Sequence, residues 1–195
     1  MYLEKVNIKE FKGVIYPEYK KIFPEIERKT YSNLEKSYNN NITEIIEIIE
    51  DEQFVGFFIV NILKNNPYVL LDYFAILFKY QQRGYGSNAI KLLKEMYKNY
   101  DGIYIEIEKV GNGDNDEENK IRQRRSNFYE KLGFHKTGFD IELFTVLFST
   151  YILPCSKNKF SDEEVIKDIF SIYDAVLGKR RTKENCKVII IEKQK

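Results

Sequence analysis

The sequence predicts an α/β fold, in which a mixed and mostly antiparallel sheet has a parallel βαβ unit at its centre and helices on its flanks. Alternating or continuous apolar residues over 2–7, 42–50, 54–63 and 68–78, separated by short turns, are typical of an antiparallel meander. A helical pattern separates strand 68–78 from strand 103–108, and the two strands of such a crossover are parallel. At 195 residues the chain is long enough to bury one sizeable core.

Helical patterns also precede the meander. Apolar residues repeat every three or four positions over 8–23, where Pro17 should kink or split the helix. The polar stretch that ends at Asn41 has room for a second short helix, and residues 51–53 should connect two strands tightly. The first 80 residues therefore combine a helical segment with four strands.

The second half of the chain adds further elements. We expect a polar, acidic loop over 111–120, a helix over 121–132 and one or two strands within 141–153. A helix over 161–178 is capped by a serine at its start and a glycine at its end. The alternating residues over 187–192 predict a terminal strand.

The turn after the central strand, 80–86, has the form Q-x-x-G-x-G, and the helix that follows is expected to begin near Ser87. Backbone N–H groups at the start of a helix lack intrahelical acceptors and attract anions. Gly84 and Gly86 let an anion approach the backbone or adopt positive φ, and Arg83 adds a cation. An ordinary turn that needs two glycines for its backbone conformation would have the same residues. The turn alone therefore fits two interpretations, an anion site and an ordinary turn.

Composition excludes several classes of protein. The net charge of +1 gives no overall field for nucleic acid or a membrane surface. Cys155 and Cys186 lie in no metal-ligand spacing, so we expect two reduced thiols and no metal site. The start of the sequence lacks a signal-peptide pattern, and no apolar run approaches the ~20 residues of a membrane span. We therefore expect a cytoplasmic protein without nucleic-acid or membrane partners.

Two motifs together resemble those of a known family. Gln81-Gln82-Arg83-Gly84-Tyr85-Gly86, after an apolar strand, resembles the acetyl-CoA-binding motif of the GNAT superfamily of N-acetyltransferases. Further on, Phe128-Tyr129-Glu130-Lys131-Leu132-Gly133-Phe134 resembles the second hallmark of that family. The resemblance spans residues 1–154 and implies a GNAT domain there. It leaves 155–195 as an extension, packed on the same domain or at a homodimer interface.

The resemblance implies a cofactor site for acetyl-CoA. In the family, pantetheine lies beside the strand that precedes the turn, which implies backbone contacts from Phe74, Ala75 and Ile76. In the family, the pyrophosphate lies on the turn. The resemblance therefore implies a cofactor-binding motif that begins at Gln81 and backbone contacts to the pyrophosphate from Gln82, Arg83, Gly84, Tyr85, Gly86 and Ser87. Tyr129 matches the tyrosine beside the cofactor sulfur that acts as general acid, although its apolar neighbours would equally suit a core residue.

Three carboxylates are candidates for the general base. Asp72 interrupts an apolar strand, where a carboxylate is costly to bury unless it is paired or protonated, so it is either functional or a salt-bridged structural residue. Glu106 and Glu108 share one face of strand 103–108. They could line the active site or form the solvated side of an edge strand. His135, the one histidine, is expected at the surface.

Two positions depart from the family pattern. Arg122 and Arg125 stand where many members have asparagine and alanine, which puts one cofactor contact in doubt. Arg122, Arg124 and Arg125 fall on one helix with Lys120 nearby. They either bind an anion or pair with Glu106, Glu108 and the acidic loop, and we favour pairing. A segment around Glu27 also resembles one that walls the acceptor site in some members, where Glu27 could contact the amine; a surface ion pair would explain it as well.

The resemblance implies acetyl transfer from acetyl-CoA to a primary amine by direct attack. The acceptor would be a small molecule or a peptide, and the acidic residues near the expected site suit a cationic amine; these are Glu106, Glu108, Asp114, Asp116, Glu117 and Glu118. One rival is a catalytically silent CoA-binding sensor or interaction protein. Another is a transferase for a longer acyl or aminoacyl donor, for which Phe74 and Phe78 could leave too little room.

Overall fold

The computed structural model describes residues 1–191, which divide into two compact units. The first comprises Met1–Asn65 and Leu71–Met96, and the second comprises Asn66–Leu70 and the chain from Tyr97 onward. The boundary therefore falls within one strand, whose first residues belong to the second unit. The eight strands of the described residues are assigned to one mixed sheet.

The first unit contains the meander. Its elements are β1 (Tyr2–Lys5), α1 (Ile8–Glu10), α2 (Tyr16–Ile22), α3 (Tyr31–Asn39), β2 (Thr43–Glu50), β3 (Gln53–Asn61), most of β4 (Tyr68–Ile76) and α4 (Tyr85–Met96). The strand order is β1-β2-β3-β4, and β2 pairs antiparallel with both β1 and β3. The order predicted for the meander is confirmed.

The second unit contains the remaining strands. Its elements are the start of β4, then β5 (Gly102–Glu108), α5 (Asp116–Lys131), β6 (His135–Leu143), β7 (Val146–Pro154), α6 (Asp162–Leu177), α7 (Lys179–Asn185) and β8 (Cys186–Ile190). The strand order is β4-β5-β7-β6-β8. β4 and β5 run parallel, and their ladder joins Tyr68–Leu70 to Gly102–Tyr104. The predicted α/β fold with a parallel βαβ unit is confirmed.

The helical segment before the meander is split, as the sequence predicts. Residues Phe11–Ile15 form a π-helical turn between α1 and α2, and Pro17 occupies the second position of α2. Proline has no N–H group, so it fits only where a helical hydrogen bond is not needed. Buried aromatic residues of this segment, including Phe11 and Tyr19, pack on Phe57 and Tyr73 of the sheet.

The predicted loop over 111–120 is wrong in its second half. Helix α5 begins at Asp116, five residues before the predicted start, because the Asn115 side chain accepts a hydrogen bond from the N–H group of Glu118. Three acidic residues in the first turn suit the positive end of the helix dipole. The Asn119 side chain then bonds the N–H groups of Gly111 and Gly113 and fixes what remains of the loop.

Other predicted boundaries are also corrected. The central strand ends at Ile76, and Phe78 begins a 3-10 turn. Strands β6 and β7 form a hairpin whose turn residues, Phe144 and Thr145, both have positive φ without a glycine or asparagine. Helix α7 was not predicted.

The ends of the last helix and strand can also be compared with the sequence. Ser161 caps α6 through a capping box, as predicted, and Gly178 follows its last residue. The terminal strand runs over Cys186–Ile190, earlier than the predicted 187–192, and Glu192 lies outside the described residues. Within residues 1–191, no helix is long and apolar enough to cross a membrane.

Gly56 allows β3 and β4 to approach closely. A Cβ atom added at Gly56 would lie closer than 3.0 Å to the Ala75 carbonyl oxygen, a separation that real Cβ atoms essentially never show. The obstacle is backbone rather than a flexible side chain, so β4 itself would have to move. Gly56 therefore fixes the position of the β4 backbone at Ala75.

We predict that Gly56→Ala lowers the free energy of unfolding by about 1–3 kcal/mol, because overpacking forces a backbone shift. Urea denaturation of the purified protein measures the change. Gly13→Ala is the matched control, since a Cβ atom there meets nothing within 4 Å. The control should change stability by no more than ~1 kcal/mol. Equal effects of the two substitutions would contradict the close approach.

Candidate functional site

The loop between β4 and α4 has two residues in the left-handed region. Gln82 has φ of 63° and Gly84 has φ of 79°. A Cβ atom at Gly84 would meet nothing within 4 Å, so glycine is needed there for its backbone conformation and not for space. These two residues turn the chain from the strand directly into the helix. Helix α4 begins at Tyr85, two residues earlier than the sequence predicts, and this places Gly86 inside its first turn.

The first turn of α4 presents backbone N–H groups. Helix geometry leaves the N–H groups of Tyr85, Gly86 and Ser87 without intrahelical acceptors. The first helical bond runs from the N–H group of Asn88 to the Gly84 carbonyl oxygen at 3.2 Å. The helix dipole adds partial positive charge at the same end. This turn can bind an anion without rearrangement.

Cations and a side-chain hydrogen bond flank the loop. The Lys79 ammonium lies 4.6 Å from the centre of the Tyr80 ring, and the Arg83 guanidinium lies 5.7 Å from it. The Gln81 side-chain amide donates to the Ile76 carbonyl oxygen at 3.0 Å. The hydrogen bond ties the loop to the end of β4, and two positive charges lie beside the Tyr80 ring.

The last residues of β4 lead into this loop. The Phe74 ring stacks on Phe58 of β3 with centroids 4.6 Å apart, and Ala75 is buried. Phe78, just beyond the strand, is 68% exposed. Residues Phe74–Ile76 therefore hold a fixed position beside β3 through the aromatic pair and the close approach at Gly56.

Asp72 belongs to a polar network inside the first unit. Its carboxylate is hydrogen-bonded and ion-paired to the Lys29 ammonium and accepts a hydrogen bond from the Asn61 side-chain amide at 2.9 Å. The Thr43 hydroxyl donates to the other end of that amide at 2.7 Å. These contacts match the prediction that Asp72 is a salt-bridged structural residue.

Asp72 and its neighbour Tyr73 both contact the segment between α2 and α3. The Tyr73 hydroxyl donates to the Glu27 carbonyl oxygen at 2.7 Å, while Asp72 pairs with Lys29. The two contacts come from successive residues of β4. The segment over 27–29 is thereby fastened to the strand two residues before Phe74.

Glu108 is paired in the second unit. Its carboxylate lies 3.0 Å from the Arg122 guanidinium and 3.8 Å from that of Arg125. Arg122 also donates to the Lys109 carbonyl oxygen at 3.2 Å and lies 4.0 Å from Glu118. The predicted pairing of the two arginines with Glu108 is confirmed.

Glu106 lies on β5, beyond the end of the ladder with β4. Strand β5 is bordered by β4 and β7, so it is not an edge strand, but its pairing with β4 ends at Tyr104. Glu106 is half-buried and pairs in register with Thr150 of β7. Its charge adds to the effect of burial in raising the pKa of the Tyr104 hydroxyl.

Tyr129 lies near the end of α5 and is 9% exposed. Its ring packs edge-on against Phe128 and Phe134, each with centroids 5.1 Å away. Burial raises the pKa of the Tyr129 hydroxyl to about 12, and the nearby charge of Arg125 opposes part of that rise. The hydroxyl therefore holds its proton at physiological pH. His135 is exposed, as predicted.

Sequence reasoning missed the partners of Asp72. Lys29 is 43 positions away in the chain, and no local pattern links the two. Asn61 offered a weak signal, because it is a polar residue in an otherwise apolar strand and is 1% exposed in the structure. Lys79 and Tyr80 near the loop were also not singled out.

Comparisons with known proteins agree with this geometry. Residues 42–136 match the family model of the acetyltransferase (GNAT) domain. This segment includes β4, the glycine-containing loop, α4, β5 and Tyr129. No curated protein sequence matches the chain.

Solved structures share the fold. A protein from Bacteroides thetaiotaomicron assigned to the GNAT family superposes with a TM-score of 0.72 at 17% identity, over 91% of this chain and 99% of that one. A spermidine N-acetyltransferase SpeG chimera from Vibrio cholerae and hSSAT gives 0.61 at 13% identity, over 80% of this chain and 98% of that one. A ribosomal-protein alanine N-acetyltransferase from Escherichia coli gives 0.56 at 15% identity, over 81% and 97%.

The two hallmark segments, the glycine-containing loop before α4 and the Tyr129 region of α5, both lie inside the matched domain. Family and fold together support an N-acetyltransferase activity in general terms. The family model over residues 42–136 and the shared fold support membership of the GNAT superfamily of acetyltransferases.

Proposed function

We propose that this protein transfers an acetyl group from acetyl-CoA to a primary amine by direct attack. The observation that carries the proposal is the first turn of α4, where the N–H groups of Tyr85, Gly86 and Ser87 follow a loop with positive φ at Gln82 and Gly84. Such a turn is suited to a phosphate group. Acetyl-CoA, when bound, supplies a pyrophosphate for this turn and the acetyl thioester for the reaction.

The β4 backbone extends the proposed cofactor site. The parallel ladder ends at Leu70, whereas β4 continues to Ile76. We therefore propose that backbone N–H and C=O groups of Phe74, Ala75 and Ile76 bond the amide groups of pantetheine. The pyrophosphate would lie on the backbone of 82–87, with Arg83 and Lys79 as flanking cations. The residues present fit an extended, anionic cofactor.

A general base is needed because amines are mostly protonated. An amine with a pKa of ~10.4 is neutral in about one molecule in 2,500 at pH 7, a handicap of roughly 4.6 kcal/mol. We propose that Glu106, half-buried in β5, removes this proton directly or through water. Asp72 and Glu108 each hold a cation that links two elements of the fold, so we assign them structural roles.

We propose that Tyr129 donates the proton that the departing thiolate accepts. Its raised pKa keeps the hydroxyl protonated across the working range of pH, which an acid requires. The packing of the ring against Phe128 and Phe134 fixes its orientation. Tyr129 would thereby contribute to the cofactor site as well as to the chemistry.

The acceptor we propose is a cationic amine. Glu106 supplies negative charge on β5, and a spermidine N-acetyltransferase is among the proteins that share the fold. Much of the acidic charge predicted near the site instead caps α5, where Glu118 lies 4.0 Å from Arg122. The attraction for a cation therefore rests on fewer carboxylates than the sequence indicates.

One observation favours a second function. Two of the three candidate bases, Asp72 and Glu108, are ion-paired, as expected of a CoA-binding sensor that has lost turnover. Calorimetric titration with acetyl-CoA and CoA, beside a thiol-release assay on a panel of amines, separates the two. Binding with thiol release for some amines supports the enzyme, and binding without release on any of them supports the sensor. An absence of binding would overturn both.

We predict that Gly84→Ala weakens acetyl-CoA binding by at least tenfold, because a Cβ atom at positive φ displaces the N–H groups of the first turn of α4. Gly111→Ala is the matched control, since Gly111 also has positive φ and open space around it. Both variants should lose a similar amount of stability in thermal unfolding. If the control weakens binding equally, the effect is not local to the loop.

We predict that Glu106→Gln lowers kcat about 100-fold or more and flattens the acidic limb of the pH profile, because it removes the base. Asp72→Asn should instead lower the free energy of unfolding by about 1–3 kcal/mol, since the Lys29 ammonium loses its partner. Steady-state kinetics and urea denaturation are measured on both variants. The assignment fails if Asp72→Asn is the one that loses turnover.

We predict that kcat does not fall between pH 8 and about pH 10.5, because the Tyr129 hydroxyl keeps its proton over this range. A tyrosine with a raised pKa loses its proton only as the pH rises through the raised value, about 12 here, and not through the ordinary ~10. Tyr129→Phe should lower kcat about 100-fold across this range while the ring preserves the packing. Unchanged turnover of Tyr129→Phe would remove it from the mechanism.

A further inference from the structure

Two cations share one aromatic ring in the loop between β4 and α4. The Lys79 ammonium lies 4.6 Å from the centre of the Tyr80 ring, and the Arg83 guanidinium lies 5.7 Å from it. Both distances fall within the ~6 Å over which an aromatic ring attracts a cation. We call these three residues the Tyr80 cluster. Its ring is half-buried and both cations are exposed, so the charges are accessible to a ligand from solvent.

The Tyr80 cluster borders the start of α4. The rings of Tyr80 and Tyr85 have centroids 6.3 Å apart, and Tyr85 is the first residue of the helix. The N–H group of Tyr80 donates to the Leu77 carbonyl oxygen at 2.8 Å, which fixes the backbone that carries the ring. The cluster consists of side chains and is therefore distinct from the backbone N–H groups of the α4 turn, although the ring contact joins the two features.

The charge of the cluster is not neutralised by the protein. Within residues 1–191, neither cation of the cluster forms an ion pair with a carboxylate. Lys29, Lys109 and Arg122, by contrast, each hold one. Residues 73–94 contain four lysine or arginine residues and no aspartate or glutamate, in a chain that has 30 acidic residues. This local excess of positive charge favours an anionic ligand.

The chemistry of the two cations suits a phosphate monoester. A guanidinium presents a planar set of donors that matches phosphate oxygens, and an ammonium binds phosphate as a point charge. A phosphate monoester carries a charge of about −1.5 to −2 at pH 7, which two cations can balance. Because one ring attracts both side chains, less of their rotamer freedom remains to be lost when a ligand binds.

Acetyl-CoA contains such a group in addition to its pyrophosphate. Its ribose carries the pyrophosphate on one carbon and a phosphate monoester, the 3′-phosphate, on another, so the two must bind near each other. In the proposed function the backbone N–H groups of the α4 turn bind the pyrophosphate, and the 3′-phosphate needs other partners. Arg122 and Arg125, the other cations predicted as candidates for an anion, are paired with Glu108.

We propose that the Tyr80 cluster is a subsite for the 3′-phosphate of the cofactor, in which Tyr80 is a positioning residue that holds Lys79 and Arg83 for the phosphate. The inference rests on the proposed use of acetyl-CoA and adds a second anion site, formed by side chains. Tyr80 acts through the two cations and not by contact with the phosphate. Its aromatic ring is therefore required, and its hydroxyl is not.

The test compares CoA with 3′-dephospho-CoA, which differ only in that phosphate. Calorimetry on the full chain measures both Kd values, and their ratio reports the contribution of the phosphate. We expect the wild type to bind 3′-dephospho-CoA at least about tenfold more weakly, the effect of one charge-assisted hydrogen bond. The ratio should fall at high salt, because exposed charges are screened. Lys79→Gln and Arg83→Gln should each lower the ratio several-fold.

Two substitutions of Tyr80 separate positioning from packing. Tyr80→Phe keeps the ring and should preserve the wild-type ratio, whereas Tyr80→Leu removes the ring and should lower the ratio although both cations remain. Lys94→Gln is the matched control, because Lys94 is an exposed lysine of the same acid-free stretch in the last turn of α4. It should leave the ratio unchanged. Thermal unfolding confirms that each variant is folded.

Several results would overturn the subsite. One is a wild type that binds both ligands equally, and another is a ratio that survives in Lys79→Gln and Arg83→Gln. An equal fall in Lys94→Gln would assign the effect to overall charge. A ratio that survives in Tyr80→Leu would overturn the positioning role of Tyr80. Each of these results leaves CoA bound and the proposed function intact, whereas failure of both ligands to bind would overturn the proposed function and the subsite together.

Discussion

The position of one helix start controls the proposed cofactor site. Helix α4 begins at Tyr85 because Gln82 and Gly84, both with positive φ, turn the chain sharply after β4. Three backbone N–H groups therefore face the space before the helix without intrahelical acceptors. The proposed anion site consists of backbone, so its charge would be fixed by the fold rather than by side chains that could rearrange. The rest of the first unit holds the strand that delivers this loop, through the close approach of β3 and β4 at Gly56 and the network of Asp72, Lys29 and Asn61.

Carboxylates in this protein differ in role because they differ in partners. Asp72 fastens the segment between α2 and α3 to β4, and Glu108 joins β5 to two arginines of α5. Both ion pairs join separate elements of the fold, which suits a structural role. Glu106 is half-buried on β5 and pairs in register with Thr150 of β7. Its place in the interior of the second unit motivates the proposed base.

The sequence predicts the order of the elements well because that order depends on short-range patterns. The meander, the crossover to β5, the Ser161 cap and the two family motifs are all visible in stretches of fewer than about 15 residues. Boundaries set by single side chains were harder: Asn115 starts α5 early, and Phe144 with Thr145 forms a tight turn without the usual turn residues. Contacts between distant residues left no pattern at all, as with Lys29 and Asp72, which are 43 positions apart.

The most direct test of the central claim is hydrogen–deuterium exchange at the backbone amides of 82–87, with and without acetyl-CoA. The site consists of these N–H groups, so a bound pyrophosphate should accept hydrogen bonds from them and slow their exchange at least several-fold. The amides of Gly111 and Gly113, which already bond Asn119, serve as the internal reference and should not change. Exchange at 82–87 that is the same with and without a saturating cofactor would contradict the assignment of the anion site, and with it the proposed mode of acetyl-CoA binding.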